Sequence, residues 1–310
     1  MISRRAALLV SLGLALPGRA AARASDDLPV PPLYTPALAR KLEPALFPFA
    51  AEYAKGSRSL LFVAARHEIG QETRTAQLIR QKVASFRPRL IIIEGLAAEG
   101  GRNPPDLLKR LRGENGITAE PTAGENRVAA EVALRNGVAF QGGEPSTATV
   151  FAELIAGKFE RNDVLFADLM KVMPSLVRSG QIASAGDPRF ATIYPGVAEQ
   201  LARGVGAAPM TLETFKSKYM QIFHADPETD ELFVRRSGPD DTNVVARILQ
   251  AQGQIRDRAL LRLIREDLDQ EGRVLVVYGG SHWTTLSALL ASLLGPPSFD
   301  LYLARPPSPG

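Results

Sequence analysis

Short runs of apolar residues alternate along this chain with stretches in which apolar residues recur every three or four positions. The short runs predict strands at 60–64, 90–93, 138–140, 274–278 and 299–303. After the first run, helical spacing extends from Ala76 to Phe86, and Pro88 ends the helix. Strands that alternate with helices are typical of βα units. We therefore predict an α/β fold with a central, mainly parallel sheet of four to five strands flanked by helices.

The stretch between the third and fourth of these strands is too long for an ordinary crossover connection and is mostly helical in pattern. It predicts a helical insertion at 151–240, followed by a long helix from about Asp241 to Asp269 that leads back into the sheet. We predict one α/β domain at 58–304 that includes the insertion. A Pro-rich segment at 25–57 is expected to form an N-terminal lead-in.

The first 24 residues predict an export signal. They combine a basic start at Arg4 and Arg5, an apolar run at 6–16 and small residues suited to cleavage before Ser25. The run is too short for a stable membrane span, which takes about 20 apolar residues. We expect a periplasmic or extracellular protein. The start resembles a twin-arginine signal, which would mean export in the folded state, although an ordinary secretory leader also fits these residues.

The charge of the chain is concentrated in this leader. The formal net charge is +4, and the leader holds four arginines and no acid, so the remainder is neutral. The remainder of the chain carries no net positive charge that would attract nucleic acid, and we therefore expect no nucleic-acid partner. Cysteine is absent, which excludes a disulfide scaffold and a thiol nucleophile.

A titratable side chain accompanies the end of each of the first four predicted strands: His67, Glu94, Glu144 and His282, in chain order. Since ligands bind outside the carboxyl ends of strands in an open parallel sheet, we expect these side chains to converge on one edge. Two imidazoles and two carboxylates suit a divalent metal such as Mn²⁺, Fe²⁺, Co²⁺ or Zn²⁺. At any one position, a loop histidine or a helix-capping glutamate is the ordinary alternative. The pattern shared by four strands favours a common site.

The same residues resemble motifs of the Tiki/TraB (GumN) superfamily, to which erythromycin esterases and ChaN-like haem-binding proteins are also related. The resemblance spans about residues 58 to 295 and rests on four short motifs: His67, Glu94, Arg256-Asp257 in IRDRALLRLI, and Gly279-Gly-Ser-His282. The family usually opens with Gly-x-x-His, whereas this chain has Ala64-Ala-Arg-His67. Alanine needs a less unusual backbone angle than glycine, which predicts a differently shaped first loop.

The resemblance implies an α/β fold and leaves three activities open. In the Tiki branch it implies a metal-dependent peptidase, and in the esterase branch the same His and Glu positions act as acid and base without a metal. ChaN-like relatives bind haem, for which Tyr278 or His282 could serve as the axial ligand.

Our leading hypothesis is a metal-dependent hydrolase of peptide or ester bonds, with a peptide or small molecule as its substrate. His67, His282, Glu94 and Glu144 are the predicted metal ligands, and a carboxylate of this set that is not fully engaged would take a proton from water. Arg256 is predicted to stabilise a developing oxyanion or to anchor a substrate carboxylate.

Overall fold

The computed structural model describes residues 28–42, 47–68, 72–105, 124–178, 180–236 and 242–301. Six strands in these residues form one sheet: β1 (Phe49–Lys55), β2 (Arg58–Ala65), β3 (Leu90–Ala97), β4 (Ala139–Glu144), β5 (Arg273–Gly279) and β6 (Ser298–Leu301). Their order in the sheet is β4-β3-β5-β2-β1-β6. The first four strands of that order are parallel, whereas β1 pairs antiparallel with both β2 and β6. The carboxyl ends of β4, β3, β5 and β2 therefore share one edge.

Nine α-helices lie within the described residues: α1 (Pro36–Leu42), α2 (Arg74–Phe86), α3 (Glu125–Arg135), α4 (Thr147–Ala156), α5 (Arg161–Arg178), α6 (Pro188–Val205), α7 (Leu212–Phe223), α8 (Val244–Glu271) and α9 (Gly280–Leu294). Short 3₁₀ turns at Ala98–Gly100 and Phe233–Arg235 complete this set of helical elements. None of the helices in the described part of the chain is both long enough and apolar enough to cross a membrane.

Each face of the sheet is buried under a pair of helices. In β5, Val274 and Val276 join a core with α8 and α9, whereas the intervening Leu275 and Val277 join a core with α2 and α3. This alternation follows from the two-residue period of a strand. The parallel strands are apolar on both faces because both faces are covered, which is why they appear in the sequence as continuous apolar runs.

The helices between β4 and β5 build a third core of their own. Helices α4 to α7 contribute aromatic and aliphatic side chains to it, including Phe166 and Phe215. The N-terminal half of α8 packs into the same core through Val245 and Ile248. The C-terminal half of α8 packs on the sheet through Leu260 and neighbouring residues. Helix α8 thus connects the inserted helices to the sheet.

The predicted fold class is confirmed, since the sheet is mainly parallel and helices flank it. The predicted insertion at 151–240 is helical where the structure describes it, and the predicted long helix is α8. The predicted leader at 1–24 lies outside the described residues.

The sheet differs from the prediction in having six strands instead of four to five, because the segment at 25–57 contains β1 as well as α1. The sequence of β1, FAAEYAK, is rich in alanine and has a weak strand propensity. It is held in the sheet by a hairpin with β2, closed at Gly56, whose φ of 62° suits glycine. The lead-in is therefore in part a strand of the domain. The predicted fifth strand at 299–303 corresponds to β6 as far as residue 301, where the description ends.

A partly buried polar network fixes the loop after β3 against α8. Arg102 lies 2.5 Å from Glu271 and 3.3 Å from Asp267, and Gln141 of β4 donates a hydrogen bond to the second oxygen of Asp267. Burial raises the pKa of Asp267 to about 6, although the charge of Arg102 acts in the opposite direction. Burial therefore dominates at this carboxyl group.

This raised pKa predicts a pH dependence of stability. The folded protein holds the Asp267 proton more tightly than the unfolded chain, so the contribution is fully present below about pH 4 and is lost as the pH rises through about 6. We expect Asp267→Asn to unfold like the wild type near pH 4 and to be more stable near pH 7.5, as measured by urea denaturation. Glu271→Gln, which removes another carboxylate contact of Arg102, is the control. Lower stability of the Asn variant at pH 7.5 would show that the ion pair outweighs burial.

Gly142 is required where β4 approaches the irregular end of β3. A Cβ at this position would overlap the carbonyl oxygen of Leu96. We expect Gly142→Ala to lower the free energy of unfolding by about 2 kcal/mol or more, because rigid backbone must move. Gly196→Ala in α6, where a Cβ meets nothing within 4 Å, should raise stability by about 0.5–1 kcal/mol. Chemical denaturation measures the free energy of unfolding of both variants. Equal changes in the two variants would contradict the prediction.

Candidate functional site

The four strand-end residues identified in the sequence lie at the same edge of the sheet. Glu144 ends β4, Glu94 lies in β3, His282 is in the first turn of α9 directly after β5, and His67 follows β2 by two residues. Because the strand order is β4-β3-β5-β2, they occur across the edge in the order Glu144, Glu94, His282, His67. The edge is therefore a candidate site in which charged groups from different parts of the chain meet.

Glu94 is the centre of this arrangement. Its Oε1 accepts a hydrogen bond from Arg256 Nη2 at 2.9 Å and lies 3.4 Å from His282 Nε2. Its Oε2 accepts the backbone N–H of Gly279 at 2.5 Å. Burial alone would raise the pKa of Glu94, but the hydrogen bond and charge of His282 and the charge of Arg256 outweigh burial and hold this pKa well below its usual range. The carboxylate is consequently ionised at neutral pH.

His282 is held from the opposite side by a carboxylate of α8. Its Nδ1 lies 2.5 Å from Asp257 Oδ1, and the other Asp257 oxygen accepts the hydroxyl of Thr285 at 2.5 Å. Burial would lower the pKa of His282, but its contacts with Asp257 and Glu94 raise it to about 9. The ring is thus fixed in orientation, with Nδ1 at Asp257 and Nε2 at Glu94.

His67 is the solvent-facing member of the site, with 67% of its side chain exposed. Its Nδ1 lies 2.5 Å from Oε1 of Glu125, the first residue of α3. The hydrogen bond with Glu125 raises the pKa of His67 against the lowering effect of partial burial. His67 and His282 therefore share one arrangement, in which a carboxylate holds Nδ1 and leaves Nε2 for another partner.

Gly279 borders the site where His67 and Glu94 approach its backbone. A Cβ on this residue would lie 2.8 Å from His67 Nε2 and 3.3 Å from Glu94 Oε2. The φ of −55° and ψ of 146° at Gly279 are angles that alanine also adopts, so the backbone does not require glycine here. What glycine provides is room beside a free imidazole nitrogen and a carboxylate oxygen.

Arg256 joins Glu94 to Glu144. Its Nη2 contacts Oε1 of both carboxylates, and Glu144 Oε1 also accepts the N–H of Gly95 at 3.0 Å. Burial would lower the pKa of Arg256, but the two carboxylates raise it above its ordinary value. The guanidinium is permanently charged and is shared between two acids, so its first role in the structure is to hold them in place.

The described residues contain one group of side chains whose ligand atoms lie close enough together for a metal ion: His67, Glu94 and Glu125, with ligand atoms all within 4.8 Å of one another. His67 and Glu94 were predicted as ligands, and His282 adjoins the group through its contact with Glu94. Glu144, also predicted as a ligand, is outside this group, and its carboxylate contacts Arg256 and the N–H of Gly95.

Two site residues were not assigned a role from the sequence. Glu125 follows a Gly-containing loop as an acid in the first turn of a helix, a position where an acid is ordinarily explained by the helix dipole. Asp257 belongs to the Arg-Asp pair of the resemblance, but its partner could not be identified before the helix was placed against His282.

Comparison of the chain with protein-family models, with curated proteins and with solved structures finds no match.

Tyr278 packs beside His282, with the ring centroids 5.2 Å apart, and its hydroxyl is buried with no hydrogen-bond partner in the described structure. We expect Tyr278→Phe to leave the free energy of unfolding unchanged or raise it by up to about 1 kcal/mol, since it removes an unsatisfied polar group. The matched control is Tyr53→Phe, whose lost hydroxyl accepts the indole N–H of Trp283 at 3.0 Å. That variant should lose about 1–3 kcal/mol, because a buried donor is left without a partner. Thermal and urea unfolding of both variants measure the difference, and a larger loss for Tyr278→Phe would contradict it.

Proposed function

We propose that this chain is an exported, metal-dependent hydrolase of peptide or ester bonds. One observation carries the proposal: two histidines, each held at Nδ1 by a carboxylate, lie with Glu94 at one edge of the sheet. In a histidine that binds a metal, the N–H of the second ring nitrogen ordinarily donates a hydrogen bond to such a carboxylate. This hydrogen bond fixes the tautomer and orients the ring. The export part of the proposal rests on the leader sequence at 1–24.

His67 and Glu94 would hold the ion, and His282, whose Nε2 lies 3.4 Å from Glu94, would add a further nitrogen ligand. Nitrogen and carboxylate donors suit Zn²⁺, Mn²⁺, Fe²⁺ or Co²⁺. The space beside Gly279, bounded by His67 Nε2 and Glu94 Oε2, is consistent with a small ligand at this point. We leave Glu144 out of the ligand set because it is not a member of the group of close ligand atoms.

When bound, such an ion lowers the pKa of a water toward about 7 and polarises a carbonyl group. Glu125, whose side chain reaches His67 at the solvent-facing side, is placed to accept a proton from an attacking water. Asp257 holds the His282 ring, and Arg256 keeps Glu94 ionised and oriented. In this proposal Arg256 is a positioning residue instead of the oxyanion contact predicted from the sequence.

The resemblance to the Tiki/TraB superfamily supports the same conclusion, because the residues that carry it are members of the site: His67, Glu94, Arg256-Asp257 and His282. The haem alternative has less support. Tyr278 is fully buried and His282 is 7% exposed, so neither predicted axial ligand is open to a group as large as a porphyrin. Metal-free catalysis by His67 and Glu125 is the second candidate, since the two already form a hydrogen-bonded pair.

The Gly279 position gives a direct test of metal binding. We expect wild-type protein purified without chelator to hold about one transition-metal ion per chain and Gly279→Ala to bind it at least about tenfold more weakly, because the new methyl group fills the ligand space. The control is Gly253→Ala, where a Cβ meets nothing within 4 Å. Elemental analysis and competition with a fluorescent chelator measure both variants.

Equal metal content in the two variants would contradict this placement of the ion. A screen of peptide and ester substrates before and after exhaustive chelation then separates the two hydrolytic mechanisms. Activity that chelation abolishes and added metal restores supports the metal-dependent hydrolase. Activity that survives chelation indicates acid–base catalysis by the His67–Glu125 pair.

A further inference from the structure

A cavity beside the candidate site is not used by the proposed mechanism. It has a volume of about 300 Å³ and lies between α5, α8 and the start of α9, with Tyr34 of the N-terminal segment in its wall. Its lining includes Arg256, Asp257 and His282, so the cavity and the site share side chains. A volume of this size is at the lower end of the range for small-molecule pockets in proteins.

The charged side chains on the cavity wall differ in whether they have an ion-pair partner. Arg256 forms ion pairs with Glu94 and Glu144. Asp257 contacts His282 and accepts a hydrogen bond from Thr285. Lys171 of α5 is the remaining charged residue of the lining, and among the described residues it makes no ion pair. The cavity therefore presents one lysine that has no ion pair in the described part of the chain.

The nearest acid on the same helix has its described hydrogen bond to a different partner than Lys171. Asp168, one turn before Lys171, accepts a hydrogen bond from Gln252 Nε2 at 2.8 Å and is buried between α5 and α8. Burial raises the pKa of Asp168, whereas the hydrogen bond from Gln252 and the charge of Lys171 act in the opposite direction. The ammonium group of Lys171 remains exposed at the cavity, at the end of a flexible four-carbon stem.

The rest of the lining is suited to a short organic group. Ala246, Leu249 and Gly253 form an apolar wall on α8, and Ser281 adds a hydroxyl beside His282. An apolar wall with a few polar groups and one cation matches an amino-acid side chain or acyl chain that ends in a carboxylate.

We propose that this cavity binds a free carboxylate of the substrate through Lys171, so that the preferred substrates are peptides or esters with an anionic group close to the bond that is cleaved. This inference rests on the proposed hydrolase function and names its substrate class. The carboxylate can come from a peptide C-terminus or from an acidic side chain, and both share the same chemistry.

The test uses the full mature chain and an N-acetylated random tripeptide library made in two forms, with a C-terminal carboxylate and with a carboxamide. Binding is measured by saturation-transfer NMR, which does not require turnover, and cleavage is measured by mass spectrometry of the same samples. Sub-libraries with and without Asp and Glu distinguish a terminal carboxylate from an acidic side chain. Lys171→Met is the test variant, and Lys158→Met, an exposed lysine outside the cavity lining, is the control.

We expect the wild type and the Lys158 variant to prefer anionic peptides by about tenfold, the worth of a hydrogen bond to a charged partner, and Lys171→Met to lose this preference while its binding of neutral peptides is unchanged. Equal binding of both library forms by the wild type, no binding of either, or an unchanged preference in Lys171→Met would overturn the inference. Selective binding without any cleavage would refute the proposed hydrolase but still support the carboxylate site. Failure of the hydrolase proposal and failure of the carboxylate-site proposal are therefore distinguishable.

Discussion

The organisation of this edge of the sheet depends on the burial of one carboxylate, Glu94. Moving a charged carboxylate out of water costs several kcal/mol unless other groups replace the lost hydration. Glu94 is 13% exposed, and it is compensated by the guanidinium of Arg256, by His282 and by the backbone N–H of Gly279. These three partners come from α8, α9 and the end of β5. Since removal of any one leaves charge uncompensated, the position of Glu94 constrains how both helices pack on the sheet.

The partners of Glu94 have polar partners of their own, so that the contacts form a continuous network. Glu144, Arg256, Glu94, His282, Asp257 and Thr285 form consecutive contacts from β4 through α8 and β3 to α9. A low dielectric strengthens each contact of such a network, although Arg256 Nε is buried without a hydrogen-bond partner among the described residues. At the other side of Glu94, His67 is largely exposed and paired only with Glu125 and nearby charges. The site thus combines a buried half with a half that is exposed to solvent.

The sequence predicted the part of this site that follows from topology. Parallel strands bring their carboxyl ends to one edge, and therefore His67, Glu94, Glu144 and His282 could be grouped from strand positions alone. The pairings within the group could not be predicted, because they depend on the rotation of α8, where neighbouring residues point about 100° apart. The rotation of α8 determines that Arg256 contacts Glu144 and that Asp257 contacts His282. In the sheet, β1 was missed because its alanines give a weak strand signal, although Gly56-Ser57 between it and β2 fits a hairpin turn.

Helix α8 also explains why a large helical insertion can occupy the connection between β4 and β5. Its N-terminal half belongs to the core of the insertion, and its C-terminal half belongs to the core of the sheet. Arg256 and Asp257 lie near the point where one core gives way to the other, and the cavity opens at the same point. The insertion can therefore shape what approaches the site through α5 and the first half of α8, while the buried charges remain fixed by the sheet.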